Sequence, residues 1–178
     1  VAMFNTCTPY QVGNVPVKGE HCAWMESSAV VYCNSVLGAR TNTEGKESTG
    51  AAALTGRIPY WGYHIKENRR GSHIVEVDID VDDIMDWGLL GYYLGEIIDD
   101  EIPVLTGRCK QPSLIKLKHF GAAAASSGGV EMYHIPDITP EARSVEEAFA
   151  GNPVRGTVHY GAKGRRAADN IYRHPGGG

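Results

Sequence analysis

Apolar residues in the first third of the chain recur at helical spacing. Between positions 20 and 37 they fall three and four residues apart, which predicts an amphipathic helix that ends at Gly38. The predicted core stripe consists of Cys22, Met25, Ala29, Cys33 and Val36. A second, short helix is predicted over residues 49–55, with Ser48 as its cap and Gly56 at its end.

From residue 73 the pattern changes to strands that alternate with helices. Apolar and polar residues alternate over residues 73–79, as they do in a half-buried strand. The pattern then predicts, in chain order, helix 82–98, strand 102–105, helix 113–125, strand 130–135 and helix 144–150. Such alternation is typical of layered α/β proteins with a partly parallel sheet. We therefore expect an N-terminal segment of loops and helices, 1–72, followed by an alternating β/α segment, 73–178.

Composition and charge narrow the class of protein. With 42% hydrophobic and 21% charged residues, the 178-residue chain can form a folded core. A formal charge of −4 gives no electrostatic reason to expect binding to nucleic acid or to an anionic membrane. No apolar run approaches the roughly 18 residues that a membrane span needs. We expect neither nucleic acid nor membrane among the partners.

The four cysteines do not form a recognisable disulfide or zinc pattern. No Cys-x-x-Cys pair occurs, which excludes a zinc ribbon. Cys22 and Cys33 both fall in the predicted helix, where eleven residues correspond to about 16 Å of rise, too far for a disulfide. Free thiols fit a reducing, cytoplasmic compartment. Cys7 differs from the others because it lies in a loop fixed by Pro9, where its sulfur can point into a cleft.

Polar side chains concentrate on the predicted helix and directly after it. Residues seven apart share a helix face, and a guanidinium and two further polar groups follow the Gly38 cap. The set comprises Ser27, Ser28, Asn34, Ser35, Arg40, Thr41 and Asn42. Hydroxyls, amides and an arginine fork suit a small anion. The alternative is equally compatible with the sequence: the serines bond to the helix backbone, and Arg40 pairs with a carboxylate.

A second polar cluster follows at residues 63–70. His64 and Glu67 can form an acid–base pair, because histidine titrates near neutrality. The alternative is an ordinary polar surface turn. The other histidines, His21 among them, have no ligand-like spacing and are predicted to be structural or exposed to solvent.

An ordered series of motifs runs through these segments. It comprises Asn5-Thr6-Cys7-Thr8-Pro9-Tyr10, Glu26-Ser27-Ser28-Ala29-Val30, Asn34-Ser35-Val36-Leu37-Gly38-Ala39-Arg40-Thr41-Asn42, Ala53-Leu54-Thr55-Gly56-Arg57 and Gly62-Tyr63-His64 with Glu67-Asn68-Arg69. The series resembles the aconitase X family, and weaker similarity continues to the C-terminus. The resemblance implies an aconitase-like layered α/β fold and a hydro-lyase that eliminates water from a small hydroxy acid. Phosphomevalonate is the expected substrate and cis-3-hydroxy-L-proline the alternative.

The resemblance also implies an iron–sulfur cluster held by three cysteines and a small swivelling subunit or domain. By motif, Cys7 matches the first cluster ligand, and the other two ligands are expected outside this chain. The polar motif and a further motif are assigned to the substrate pocket through Ser27, Ser28, Asn34, Ser35, Arg40, Thr41, Asn42, His64, Glu67 and Arg69. We therefore expect an incomplete fragment of a larger catalytic subunit, inactive alone, with its general base unassigned. A cluster-free binding or assembly module is the alternative from a different class.

Overall fold

A small parallel sheet organises the second half of the molecule. The computed structural model describes residues 6–173, and its strands are β1 (His73–Val81), β2 (Pro103–Cys109) and β3 (Gly156–Tyr160). The strand order is β2-β1-β3, both pairings are parallel, and the first residues of the three strands lie side by side. The expected mixed α/β class with a parallel sheet is confirmed.

Helices cover the sheet and form most of the first segment. They are α1 (Ser27–Tyr32), α2 (Lys46–Thr55), α3 (Ile84–Ile98), α4 (Leu114–Ser127), α5 (Val145–Phe149) and α6 (Ala162–Arg173). Four of them begin after a side-chain cap, in which a side-chain oxygen accepts a hydrogen bond from the backbone N–H three residues ahead; the caps are Glu26, Asp83, Ser113 and Ser144. Between residues 6 and 173 we find no helix with the length and apolar character that a bilayer crossing needs.

Glycines let α3 approach α4 closely. A Cβ atom on Gly91 would lie 2.3 Å from the carbonyl oxygen of Phe120, and one on Gly95 would lie 2.0 Å from Ser127 Oγ. The main hydrophobic core surrounds this contact and contains Trp87 and other fully buried side chains of the sheet and helices. The glycines therefore let the two helices pack directly against each other.

The predicted helix over residues 20–37 is wrong at its start. Residues 20–24 are extended and pair in parallel with residues 40–44, and α1 begins only after Glu26, whose carboxylate caps it. A π-type turn, Cys33–Leu37, then completes the helix and ends at Gly38, whose φ is 69°. The physical reason is that residues 20–24 satisfy their backbone groups with a distant segment instead of with a helical turn.

Two further differences concern the second half and α2. Residues 130–135 are not a strand: they make one bridge to β2, at His134, although Met132 and Tyr133 are fully buried. The apolar residues at 130–135 are therefore buried without forming a strand. The sequence pattern does not predict β3 or α6. α2 begins at Lys46 after Gly45, earlier than the predicted Ser48 cap.

Candidate active site

Cys7 lies at the wall of a groove in the first segment. The groove has a volume of about 1080 Å³ and lies between the N-terminal loop, residues 21–26 and α2. The Cys7 thiol is exposed, and His21, Cys22 and Glu26 line the same groove.

Two histidines from distant parts of the sequence meet beside this groove. His21 Nδ1 and His64 Nδ1 are 2.9 Å apart, and the rings stack with their centroids 5.1 Å apart. His64 is fully buried, and its Nε2 atom has no hydrogen-bond partner among residues 6–173. Its turn is fixed by Gly62, whose φ is 56° and where a Cβ would lie 2.2 Å from Asn42 Oδ1. His21 therefore connects the groove to a buried imidazole with a free nitrogen.

Arg40 and Glu44 extend this polar cluster. Arg40 Nη1 donates to the carbonyl oxygen of His64 at 3.1 Å, while the buried Arg40 Nε has no partner in the described part of the chain. Glu44 accepts from Ser48 through Oε2 at 3.0 Å, and its buried Oε1 is likewise unpaired there. We refer to His21, Arg40, Glu44 and His64 as the histidine–arginine cluster. Unpaired buried polar atoms are rare in folded proteins, so the cluster has capacity for a polar ligand.

Desolvation and the arginine charges lower the pKa of both histidines and so favour their neutral forms. Desolvation, and then the charges of Arg40 and Arg69, lower the pKa of His21. Desolvation and the neighbouring His21 lower the pKa of His64, against the opposing effect of the Glu44 carboxylate. A contact between two Nδ1 atoms requires one donor and one acceptor, which two neutral rings of opposite tautomer provide.

We expect acid to destabilise the protein through these histidines. Their folded-state pKa values lie below the ordinary 6.5, so the unfolded chain binds the protons more readily. The stability they contribute is complete above pH 6.5 and is lost as the pH falls through 6.5 towards the lowered values. NMR titration of the His21 and His64 imidazoles, with urea unfolding across the same pH range, measures this directly. Midpoints at or above 6.5 would contradict the neutral pair.

Several predicted pocket residues are buried in the protein framework. Asn34 is fully buried and donates through Nδ2 to the carbonyl oxygens of Thr41 (2.9 Å) and Glu131 (3.0 Å). Ser35 Oγ accepts from the Tyr133 N–H at 2.9 Å, and Thr41 Oγ1 accepts from the Trp24 N–H at 3.1 Å. These side chains use their hydrogen-bonding capacity within the protein.

Asn42 and Arg69 are also part of this framework. Asn42 Oδ1 accepts from the Tyr63 N–H at 2.7 Å. Arg69 is almost completely buried: it binds both carboxylate oxygens of Glu141 through Nε, at 3.1 and 3.0 Å, and its Nη atoms donate to Asn34 and Ala39. All three guanidinium nitrogens of Arg69 are therefore engaged by the protein.

Within residues 6–173 the remaining predicted residues, Ser27, Ser28 and Glu67, make no hydrogen bond to a side chain of the histidine–arginine cluster. Ser27 and Ser28 are half-buried in the first turn of α1, where Ser28 donates to the Glu26 carboxylate. Glu67 is exposed in the turn Lys66–Arg69 and does not pair with His64. Sequence reasoning missed His21 and Glu44, because only the pairing of segments 20–24 and 40–44 brings them to the site.

Cys7 presents an exposed thiol at the groove, which suits an iron–sulfur ligand. Cys7 is exposed there, whereas the Cys22 sulfur is in contact with Cys33. Within residues 6–173 the one group of three potential metal ligands is Glu76, Asp78 and His159 on the sheet, which contains no cysteine. Cys7 thus fits as a single ligand, and residues 6–173 do not complete a three-cysteine set.

Comparison with known families agrees with the motifs. The profile of the aconitase X first domain matches residues 1–67, and the profile of the aconitase X second domain matches residues 71–168. The chain therefore belongs to the aconitase X family, as the motif series predicts.

Characterised relatives identify the kind of enzyme to which the chain is similar. It is 48% identical over 149 residues to the phosphomevalonate dehydratase large subunit of Methanothermobacter thermautotrophicus, covering 84% of this chain and 37% of that protein. It is 45% identical over 149 residues to the cis-3-hydroxy-L-proline dehydratase of Hypocrea jecorina, covering 81% and 25%. The solved holo-form of Thermococcus kodakaraensis aconitase X superposes with a TM-score of 0.83 at 36% identity, covering 94% of this chain and 42% of that one. The chain thus spans less than half the length of each of these proteins.

Proposed function

We propose that the chain forms part of the large subunit of a dehydratase that eliminates water from a small hydroxy acid. The names of the relatives make phosphomevalonate the first substrate to test and cis-3-hydroxy-L-proline the second. One geometric observation carries the proposal: Arg40 Nε and His64 Nε2, neither of which has a hydrogen-bond partner among the described residues, lie in one polar cluster beside the Cys7 groove.

In this proposal Arg40 binds the anionic group of the substrate. Guanidinium groups bind carboxylate and phosphate equally well through parallel N–H bonds, so Arg40 suits either substrate. Its Nη1 bond to the His64 carbonyl oxygen orients the fork and leaves Nε available. His64, through Nε2, is the second polar contact.

The buried framework residues then act by positioning Arg40 and His64. Asn34, Ser35, Thr41, Asn42 and Arg69 bond to protein groups that fix residues 34–42 and 61–64. Ser27 and Ser28 stay predictions as substrate contacts from the start of α1. Glu67 stays a prediction too, and its exposure favours a contact outside the cluster.

Elimination also requires a leaving hydroxyl and a base. Cys7 is proposed as one cluster ligand, with the remaining ligands outside this chain; an iron–sulfur cluster, when bound, supplies a Lewis acid for the leaving hydroxyl. The base removes the proton from the carbon next to the one that carries the hydroxyl, and we propose that it belongs to the small subunit or domain. A reducing cytoplasm suits these free thiols.

The test uses the complete gene product, purified without oxygen together with a small subunit. We expect water elimination from phosphomevalonate or cis-3-hydroxy-L-proline, detected by mass spectrometry as an unsaturated product. Cys7→Ser should abolish both the visible iron–sulfur absorbance and the activity, while the matched control Cys109→Ser, away from the groove, should retain both. A folded complex that converts neither substrate would favour the binding-module alternative. Unchanged absorbance in Cys7→Ser would remove Cys7 from the ligand set.

A further inference from the structure

Two cysteines, Cys22 in the wall of the groove and Cys33 behind it, lie in contact through their sulfur atoms. Cys22 Sγ and Cys33 Sγ are 3.3 Å apart, although eleven positions separate them. The expectation of about 16 Å is wrong because Cys22 lies on the extended segment 20–24 and not on the helix. The pair has no part in the proposed dehydratase chemistry.

The two sulfurs differ in their access to solvent. Cys22 is half-buried and lines the groove, whereas Cys33 is completely buried at the start of the π-type turn. A small reagent that enters the groove therefore reaches Cys22 first and finds Cys33 directly behind it.

The local hydrogen bonding makes Cys22 the more reactive of the two. The hydrogen bond with Cys33 lowers the pKa of the Cys22 thiol, and it does so against the effect of burial. The same contact, with burial, raises the pKa of Cys33. Because Cys22 faces the groove and Cys33 is completely buried behind it, Cys22 attacks and Cys33 resolves.

The backbone holds the pair ready for a bond. The Cys22 N–H donates to the Arg40 carbonyl oxygen at 3.0 Å, and the Ala39 N–H donates to the Cys33 carbonyl oxygen at 3.1 Å, so both cysteines are tied to adjacent residues of one segment. A disulfide bond is about 2.05 Å long, and the sulfurs need to approach by only about 1.2 Å.

We propose that Cys22 and Cys33 are a site of reversible disulfide formation whose oxidant is a small hydroperoxide entering the groove. The Cys22 thiolate attacks the hydroxyl oxygen of the hydroperoxide, and the O–O bond breaks. Cys22 becomes a sulfenic acid, and the released hydroxide or alkoxide takes up a proton and leaves as water or an alcohol. Cys33 sulfur then attacks Cys22 sulfur, the S–O bond breaks, and the departing hydroxide takes the Cys33 proton as water. Two thiols lose two electrons and the peroxide is reduced by two. Exchange with an external dithiol reverses the bond.

The bond would form next to the histidine–arginine cluster. Cys22 directly follows His21, and its backbone pairs with Arg40. The disulfide would therefore form beside the two paired segments that carry His21 and Arg40. Disulfide formation at this pair requires no substrate turnover and is independent of the dehydratase activity.

The experiment follows thiols in the purified, fully reduced chain. After treatment with hydrogen peroxide and blocking with N-ethylmaleimide, we expect mass spectrometry to show Cys22 and Cys33 protected together, in a linked peptide pair lighter by two hydrogens. Dithiothreitol should restore both labels. Unprotected Cys22 and Cys33, or a Cys22–Cys7 link across the groove, would overturn the proposal.

Variants separate the pair from general oxidation. Cys33→Ser should stop at a Cys22 sulfenic acid that dimedone traps, whereas Cys22→Ser should leave Cys33 reduced. Cys109→Ser is the matched control and should give the same linked peptides as the parent chain. The linked peptides should also persist in Cys7→Ser, which removes the exposed thiol of the groove. Circular dichroism of each reduced variant verifies folding, and loss of the link in Cys7→Ser would contradict direct attack by Cys22.

Discussion

Arg69→Met should lower the free energy of unfolding by about 3–5 kcal/mol, the usual effect of removing one partner of a buried ion pair. The Arg69 side chain is 1% exposed, and its Nη2 lies 2.6 Å from Glu141 Oε1. Its other bonds go to Asn34, Ala39 and Tyr63, so the substitution also leaves buried acceptors unpaired. Methionine retains most of the apolar stem, which isolates the loss of the guanidinium.

Urea unfolding of the purified chain measures this effect. The matched control is Arg108→Met, because Arg108 pairs with Asp80 at 3.0 Å but both side chains are about 60% exposed. Exposed pairs of this kind contribute at most about 1 kcal/mol. Glu141→Gln should reproduce part of the Arg69 loss. Equal losses in Arg69→Met and Arg108→Met would show that burial of the pair does not determine its contribution.

Arg40→Met should lower kcat/KM of the complete enzyme by about 10- to 100-fold, the equivalent of one or two charge-assisted hydrogen bonds. The effect should fall mainly on KM, because a group that binds the anion of the substrate acts in the ground state as well as in the transition state. Arg40→Lys keeps the charge but loses the fork, so it should recover only part of the affinity.

Arg166→Met, at an exposed position of α6, is the matched control and should leave KM unchanged. Steady-state kinetics on both candidate substrates gives the comparison, with circular dichroism to verify that each variant is folded. An unchanged KM in Arg40→Met would remove Arg40 from the substrate site. A fall in kcat alone would instead indicate that Arg40 acts only through His64.

Local signals predict three of the four helices of the second segment, α3, α4 and α5, but not α6. Asp83, Ser113 and Ser144 cap helices through a backbone N–H three residues ahead, so the information is contained in a single turn. The start of α1 failed because the pairing of residues 20–24 with residues 40–44 is not local. The periodicity of apolar residues within one segment cannot predict that the segment pairs with another one twenty residues away.

The candidate site shows the same limit. The motif that contains Asn34 identifies polar residues, but whether an amide faces a ligand or the protein depends on distant acceptors such as the Glu131 carbonyl oxygen. The contact between His21 and His64 spans 43 positions, and only the fold reveals it. The choice of Cys7 rested on its loop and on the resemblance. Its position on the groove is compatible with that choice, while its role as a ligand stays a prediction.

The position of Arg69 has a practical consequence for dissecting the molecule. The two family profiles meet between residues 67 and 71, which makes this an obvious place to divide the chain for separate expression or for grafting. A cut after Arg69 would give each half one member of the Arg69–Glu141 pair and would leave the buried guanidinium without its counter-ion, whereas a cut before Arg69 keeps the pair in one half. A chimaera that exchanges either half has to bring both residues from the same parent.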